Sequence, residues 1–155
     1  MAKVSNYLKM LHYNIFKINF TIRDDYFKTL ESEIDGFNKF NIDINTSAFL
    51  NKDVKNNGKV VLNISLNKLD ESGNISDDKE KYLLSFQMEI EGVFQSPPSV
   101  DDDFFKKLIS HNAPSILFSI SRGIITSYTA QAGVSPIILP LMDFSEGVSI
   151  SDFSI

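Results

Sequence analysis

Three acidic clusters, Asp24-Asp25, Asp77-Asp78 and Asp101-Asp102-Asp103, are the groups in this chain most able to do chemistry. Paired carboxylates bind divalent cations or exchange protons when separate elements bring them together in a pocket. Each cluster here falls in a loop or at a helix start, where solvation and the helix dipole account for it. His12 falls in a strand and His111 at a helix junction, with no third type of metal ligand near either in the sequence. The chain has no cysteine, which removes disulfides, thiolate metal sites and cysteine nucleophiles together. It has no glycine-rich phosphate loop and no G-x-S-x-G elbow. Four N-x-S/T sequons, at Asn19, Asn45, Asn63 and Asn74, are what an Asn- and Ser-rich composition produces by chance. The residues therefore predict no catalytic group, no metal and no cofactor, and a protein that is not an enzyme.

The whole chain points the same way. Its 155 residues, 43% hydrophobic and 23% charged, suit one globular domain. A net charge of −5 lacks the basic footprint of a nucleic-acid binder. No run of about 20 apolar residues is present to span a membrane. The start, Met1-Ala-Lys-Val-Ser-Asn-Tyr7, has no apolar core of a secretion signal, so a cytoplasmic protein is expected.

The elements that must position any site are mostly strands. Phe16, Ile18, Phe20 and Ile22 share one parity, while Leu11, Tyr13 and Ile15 hold the other. This predicts a strand over 7–22 with a bulge or with both faces buried. Residues 24–38 read as a long connection in which charged neighbours leave Tyr26, Phe27 and Phe37 exposed. Alternation continues in Phe40, Ile42 and Ile44, then in Val60 to Leu66, and again in Tyr82 to Ile90, separated by Asn56-Asn57-Gly58 and residues 70–74 as turns. Four antiparallel strands over 7–95 are expected. Ser99 is placed to cap a first helix and Asn112 a second, with Pro114 in its first turn and Gly133 at its end. The helices together cover 99–131, and a segment 134–155 follows. The fold class is α+β, a single domain with a two-part C-terminal helix on one face of the sheet.

The second helix is the most informative segment. Ala113, Ile116, Leu117, Ile120, Ile124 and Tyr128 form one apolar stripe, widened by Phe118, Ile125 and Ala132. Opposite them stand Ser115, Ser119, Arg122, Thr126 and Thr129, and Arg122 is the only charge between Asn112 and Met142. A helix covered on one side by its own sheet should show charge on the other. The lack of it predicts that a second copy covers the Ser/Thr side.

The run Asn112-Ala-Pro-Ser-Ile-Leu-Phe-Ser-Ile-Ser-Arg-Gly-Ile-Ile-Thr-Ser-Tyr128, continuing to Gly133 and then Pro136-Ile-Ile-Leu-Pro-Leu-Met-Asp-Phe144, resembles the SecB export chaperones. Pro114, Ile116, Leu117, Phe118, Arg122, Leu139 and Phe144 match that family's motifs in order and spacing. Ile15 to Ile22, Phe40 to Asn45 and Gly92-Val-Phe94 look like parts of its strands, so the likeness covers about residues 8–144.

The resemblance implies a SecB-like fold, a homotetramer built as a dimer of dimers, and an ATP-independent holdase that binds unfolded or partly folded clients along apolar grooves. It implies a client surface at Phe40, Ile42 and Ile44, joined by Tyr26, Phe27 and Phe37 of the connection. Ile116, Phe118, Ile120, Arg122, Ile125 and Tyr128 would form the oligomer interface. The positions that dock SecA in the family correspond to Asn19, Arg23, Ser85 and Gln87. With no acidic group among them, complementarity to a basic tail is lost, which counts against SecA as a partner. Ser119 and Gly123 replace the family's Pro and Glu, and the lid helix is absent or reduced to Ser145–Ile155. A dedicated client, such as the antitoxin of a toxin–antitoxin system, fits the lost SecA surface. The alternative is an oligomeric interaction scaffold without holdase activity.

Overall fold

The computed structural model describes residues 7–26, 40–70 and 82–153. Phe27, Phe37 and Asp77-Asp78 lie outside them. Four long strands come first: β1 (Lys9–Ile22), β2 (Asn41–Asn51), β3 (Asn57–Leu69) and β4 (Tyr82–Gln95). A short helix α1 (Asp102–Lys107), a π-helical turn (Leu108–Asn112) and helix α2 (Ala113–Gln131) follow, and a last strand, β5 (Ile150–Phe153), ends the described chain.

The strand order is β1-β4-β3-β2-β5, with β5 parallel to β2. The sheet is thus five-stranded and mixed, where the alternation predicts four antiparallel strands. Four residues suffice for β5 because β2 already presents an ordered row of backbone donors and acceptors at that edge. So short a segment shows no periodicity of its own in the sequence.

Period-2 patterning works best in β3 and β4. Val60, Leu62, Ile64 and Leu66 are fully buried, as are Leu84, Phe86, Met88, Ile90 and Phe94, while the intervening residues are mostly half-buried. It works least well in β1, where Leu11, Tyr13, Ile15 and Phe16 all face water, Phe16 to 59%. Those side chains are not buried on a second face. β1 lies at the end of the strand order, so only one neighbour covers it.

Contacts within the chain define two compact units, 15–45 with 63–89, and the remainder. In the first of these, Phe20 and Phe86 meet edge to face at 6.0 Å. Arg23 spans Asp25 and the buried Asp70, and its backbone N–H reaches Leu83 O at 2.9 Å.

In the other unit, two glycines mark close approaches. A Cβ on Gly58 would stand 2.7 Å from Phe49 O, and one on Gly92 would stand 2.9 Å from the Phe94 ring and 3.1 Å from Leu117 Cδ1. Asn56 takes a positive φ of 54°, and its side-chain amide donates to Pro97 O and Val100 O at 2.8 Å each, tying the turn before β3 to the approach to α1.

The helix caps differ from expectation. Asp101, not Ser99, caps α1, accepting from Phe104 N–H at 2.7 Å. Asn112 has helical angles and makes no capping bond, because the chain runs from α1 into α2 without leaving the helical region. The joint is the π-helical turn, in which Ala113 N–H reaches Leu108 O. Pro114 has no N–H to offer Ser110 O four residues earlier. Val148 N–H takes that acceptor at 3.0 Å, so the proline creates a docking point for the C-terminal segment.

Candidate functional site

Arg122, Thr126 and Thr129, spaced four and three apart on one side of α2, form a rail along which the segment after the helix returns. Arg122 Nε–H donates to Leu139 O at 3.0 Å. The Thr126 hydroxyl lies 2.9 Å from both Ile137 O and Arg122 O. Thr129 Oγ1 donates to Ile125 O at 2.8 Å and accepts from Ile137 N–H at 2.9 Å. Val134, Ile137 and Leu139 are buried as a result. This overturns the reason for expecting a second copy over Arg122, Thr126 and Thr129, while Ser115 and Ser119 on the same side stay exposed. The face lacks charge because it hydrogen-bonds an irregular stretch of its own chain, whose backbone has no ladder to satisfy it.

What α2 leaves in water is part of the apolar stripe. Ala113, Pro114, Leu117, Phe118, Ser121, Ile125 and Thr129 face inward, whereas Ile116 and Tyr128 are exposed and Ile120 and Ile124 half-exposed. These four, at four-residue spacing, make a ridge beside Ser119, Gly123 and Ser127, and a Cβ on Gly123 would meet nothing within 4 Å. Of the six expected interface residues, Ile116, Ile120 and Tyr128 therefore lie on the water-facing side. Phe118 and Ile125 are buried in the chain's own core, Phe118 stacking edge to face with Phe144 at 5.8 Å, and Arg122 serves the rail.

The remaining expected site residues belong to the other unit. Ile42 is 39% exposed, and Phe40 and Ile44 are half-exposed, with Lys68 Nζ 5.8 Å from the Phe40 ring centroid. Tyr26, expected at the surface among its charged neighbours, is 2% exposed. The reason is that Asp25 turns to Arg23 and the Tyr26 N–H bonds Arg23 O at 2.9 Å, which folds the ring inward. Asn19, Ser85 and Gln87 line a shallow cavity of about 370 Å³ with Thr21, Ser65 and Asn67. Its lining side chains are hydroxyls and amides apart from Phe86, with Ser85 donating to Asn67 Oδ1. Arg23 stands outside that cavity, and its hydrogen bonds to Asp25 and Asp70 raise the guanidinium's pKa further above its usual range.

Among the described residues, no three His, Cys, Asp or Glu side chains converge as metal ligands, and no helix is long and apolar enough to cross a membrane. His111 is tied to Ser110 Oγ at 2.6 Å and to Lys107 O at 3.0 Å, with its ring against Gly147. Asp102 and Asp103 are the acidic first turn of α1.

Sequence patterning misses two surfaces. One is along β1, where Leu11 and Tyr13 are exposed in one unit and, taken separately, Ile15 and Phe16 in the other. Its upstream parity was legible, but which side faced water was not. The second is the end of the chain beyond the rail, where Ile138 and Leu141 are 72% and 83% exposed. The apolar residues there have no period from which to infer a face.

Comparison with known proteins gives a fold. No family model and no curated protein matches the chain. Among solved structures, the chain is similar to the SecB-like chaperone Rv1957 of Mycobacterium tuberculosis, solved with a ChAD peptide from the Rv1956 HigA1 antitoxin. The TM-score is 0.63 at 7% identity, over 88% of this chain and 91% of that one. A protein of unknown function from Streptococcus agalactiae aligns with a TM-score of 0.41 at 13% identity, over 86% and 96% of the two chains. The chain has a SecB-like α+β fold.

Proposed function

We propose that this protein is an ATP-independent holdase that binds unfolded or partly folded polypeptides. The observation that carries the reading is the amount of large apolar side chain left in water on a SecB-like fold: Leu11, Tyr13, Ile15 and Phe16 on β1, Ile42 on β2, and Ile138 and Leu141 after α2. Exposed apolar surface on this scale marks a surface that is covered by something else in use. Extended client segments would exchange water for these side chains without a chemical step, each contact reversible and sequence-tolerant. The client surface includes Phe40, Ile42 and Ile44 in one unit. A dedicated client such as an antitoxin is the branch suggested by the peptide bound in the similar structure.

Self-association is the second part of the proposal. The Ile116, Ile120, Ile124, Tyr128 ridge with its small-residue flank is built as one helix packs on another, since Ser119, Gly123 and Ser127 allow close approach. A homo-oligomer of dimers that pairs this ridge between copies fits that arrangement. SecA is not proposed as a partner, because Asn19, Ser85 and Gln87 present neutral groups and Arg23 is held by two carboxylates.

Suppression of aggregation of a chemically denatured model enzyme at equimolar chain is the test. A holdase lowers light scattering; a scaffold leaves it unchanged, and that result would move the reading to the scaffold alternative. The ridge itself favours neither, because both need self-association.

A further inference from the structure

β5 sits on the β2 edge. Its four residues pair Ala48 with Ile150, Phe49 with Ser151, Leu50 with Asp152 and Asn51 with Phe153. Ser151 and Asp152 are exposed, and Ile150 and Phe153 only half-buried. Two anchors hold the segment. Val148 N–H occupies the Ser110 carbonyl that Pro114 cannot address, and Lys52 N–H donates to Phe153 O, both at 3.0 Å. The Phe153 ring packs on Lys59, whose Nζ lies 4.6 Å from its centroid and 5.5 Å from that of Phe49. A cavity of about 540 Å³ is lined by Leu50 and Asn51 of β2 and Asp152 of β5. Lys52, Lys55 and Lys106 face Asp53 and Asp102 around it, and the carboxylate that β5 contributes is Asp152.

We propose that the β2 edge at Ala48–Asn51 is an acceptor for an extended polypeptide segment running parallel to β2 and carrying an acidic residue followed by an aromatic one, and that β5 is its resident, displaceable occupant. The chemistry of the occupant is read from β5 itself. Backbone pairing supplies affinity that any extended segment can make, and the two side-chain positions supply selectivity. The three lysines outnumber the two aspartates around the cavity, so the edge favours an acidic residue at the position of Asp152. Lys59 over Phe49 favours an aromatic ring next to it, because a cation placed between two rings is attracted to the faces of both. Tethered to its own chain, β5 competes with any incoming segment. The apparent affinity of that segment is then reduced by the fraction of molecules in which β5 has left.

This deepens the holdase reading and rests on it, since the incoming segment is a client's. The probe is a fluorescein-labelled peptide with the sequence of residues 145–155, followed by anisotropy on the full chain. Phe153→Ala removes the resident ring and should tighten peptide binding about tenfold, the order expected when a ring and its cation contact are lost. Leu50→Cys with Asp152→Cys joins register partners in a chain without other cysteines. Oxidised, this pair should bind the peptide at least about tenfold more weakly than when reduced, because a locked edge cannot open. A peptide with Lys and Ala in place of its Asp-Phe should not bind.

Equal affinity of the oxidised and reduced forms would overturn the proposal. So would a concentration-dependent rise in mass of Phe153→Ala without peptide capture, which would indicate strand exchange between copies. The aggregation assay separates this inference from the reading beneath it. Suppression that is indifferent to the lock removes the inference and leaves the holdase. Lock-dependent peptide capture without any suppression keeps the acceptor edge and removes the holdase.

Discussion

Replacing Thr129 with Val tests the rail that returns the chain along α2. Thr and Val have nearly the same shape and similar helix propensity, so packing and backbone preference are almost unchanged. Thr129 is fully buried, and its oxygen is the acceptor for Ile137 N–H at 2.9 Å. Removing that oxygen leaves a buried N–H without its acceptor, which costs about 1–3 kcal/mol. The donation to Ile125 O at 2.8 Å is also lost. That carbonyl sits inside α2 and keeps its helical partner, so the loss there is small. For a chain of this size, a change of 1–3 kcal/mol corresponds to a fall in Tm of about 2–12 °C. Urea unfolding followed by circular dichroism measures the free energy, and hydrogen exchange locates it. Protection should fall at Ile137 and Leu139 and stay unchanged in β3 and β4. Thr126→Val should cost less, because Thr126 is half-exposed and water can replace its hydroxyl. An unchanged midpoint with unchanged exchange at Ile137 would show that the segment is held by Val134, Ile137 and Leu139 alone and that the hydroxyls contribute nothing.

Other consequences follow from the same contacts. Asp70→Asn should destabilise by about 2 kcal/mol in urea unfolding, since Asp70 is buried against Arg23 and the charge-assisted bond is the stronger kind. Gly92→Ala should cost about 1–3 kcal/mol because its Cβ meets Phe94 and Leu117, whereas Gly123→Ala should stabilise an isolated chain by about 0.5–1 kcal/mol. Gly123→Arg should reduce the mass measured by sedimentation equilibrium if the α2 ridge packs between copies; an unchanged oligomer would place the contact elsewhere. Ile42→Ser should change stability by less than about 1 kcal/mol, given its exposure, while lowering suppression of aggregation.

How much could be read from the residues depended on how local the physics was. Alternation in β3 and β4 survives because both strands have a buried face along their whole length, so each second residue records it. Helical spacing located α2 and Gly133 marked its end with a φ of 86°, since both are set by neighbours in the chain. The α+β class and the likeness to SecB were legible on the same terms. The sequence also held the lack of charge from Asn112 to Met142 but not its cause, because Ile137 and Leu139, 8 to 17 residues further along, cover Arg122, Thr126 and Thr129. For β1, Leu11 and Tyr13 read as core, and only the order of strands leaves them in water. Tyr26 went the other way, buried where its N–H bonds Arg23 O, and Arg23 is itself held by Asp70, 47 positions away. β5 could not be seen at all, since four residues become a strand only where another strand's edge and a carbonyl freed by Pro114 receive them. Patterns report what a residue's neighbours in the chain impose; coverage by remote segments has no periodicity, and it is coverage that separates a core side chain from a binding one.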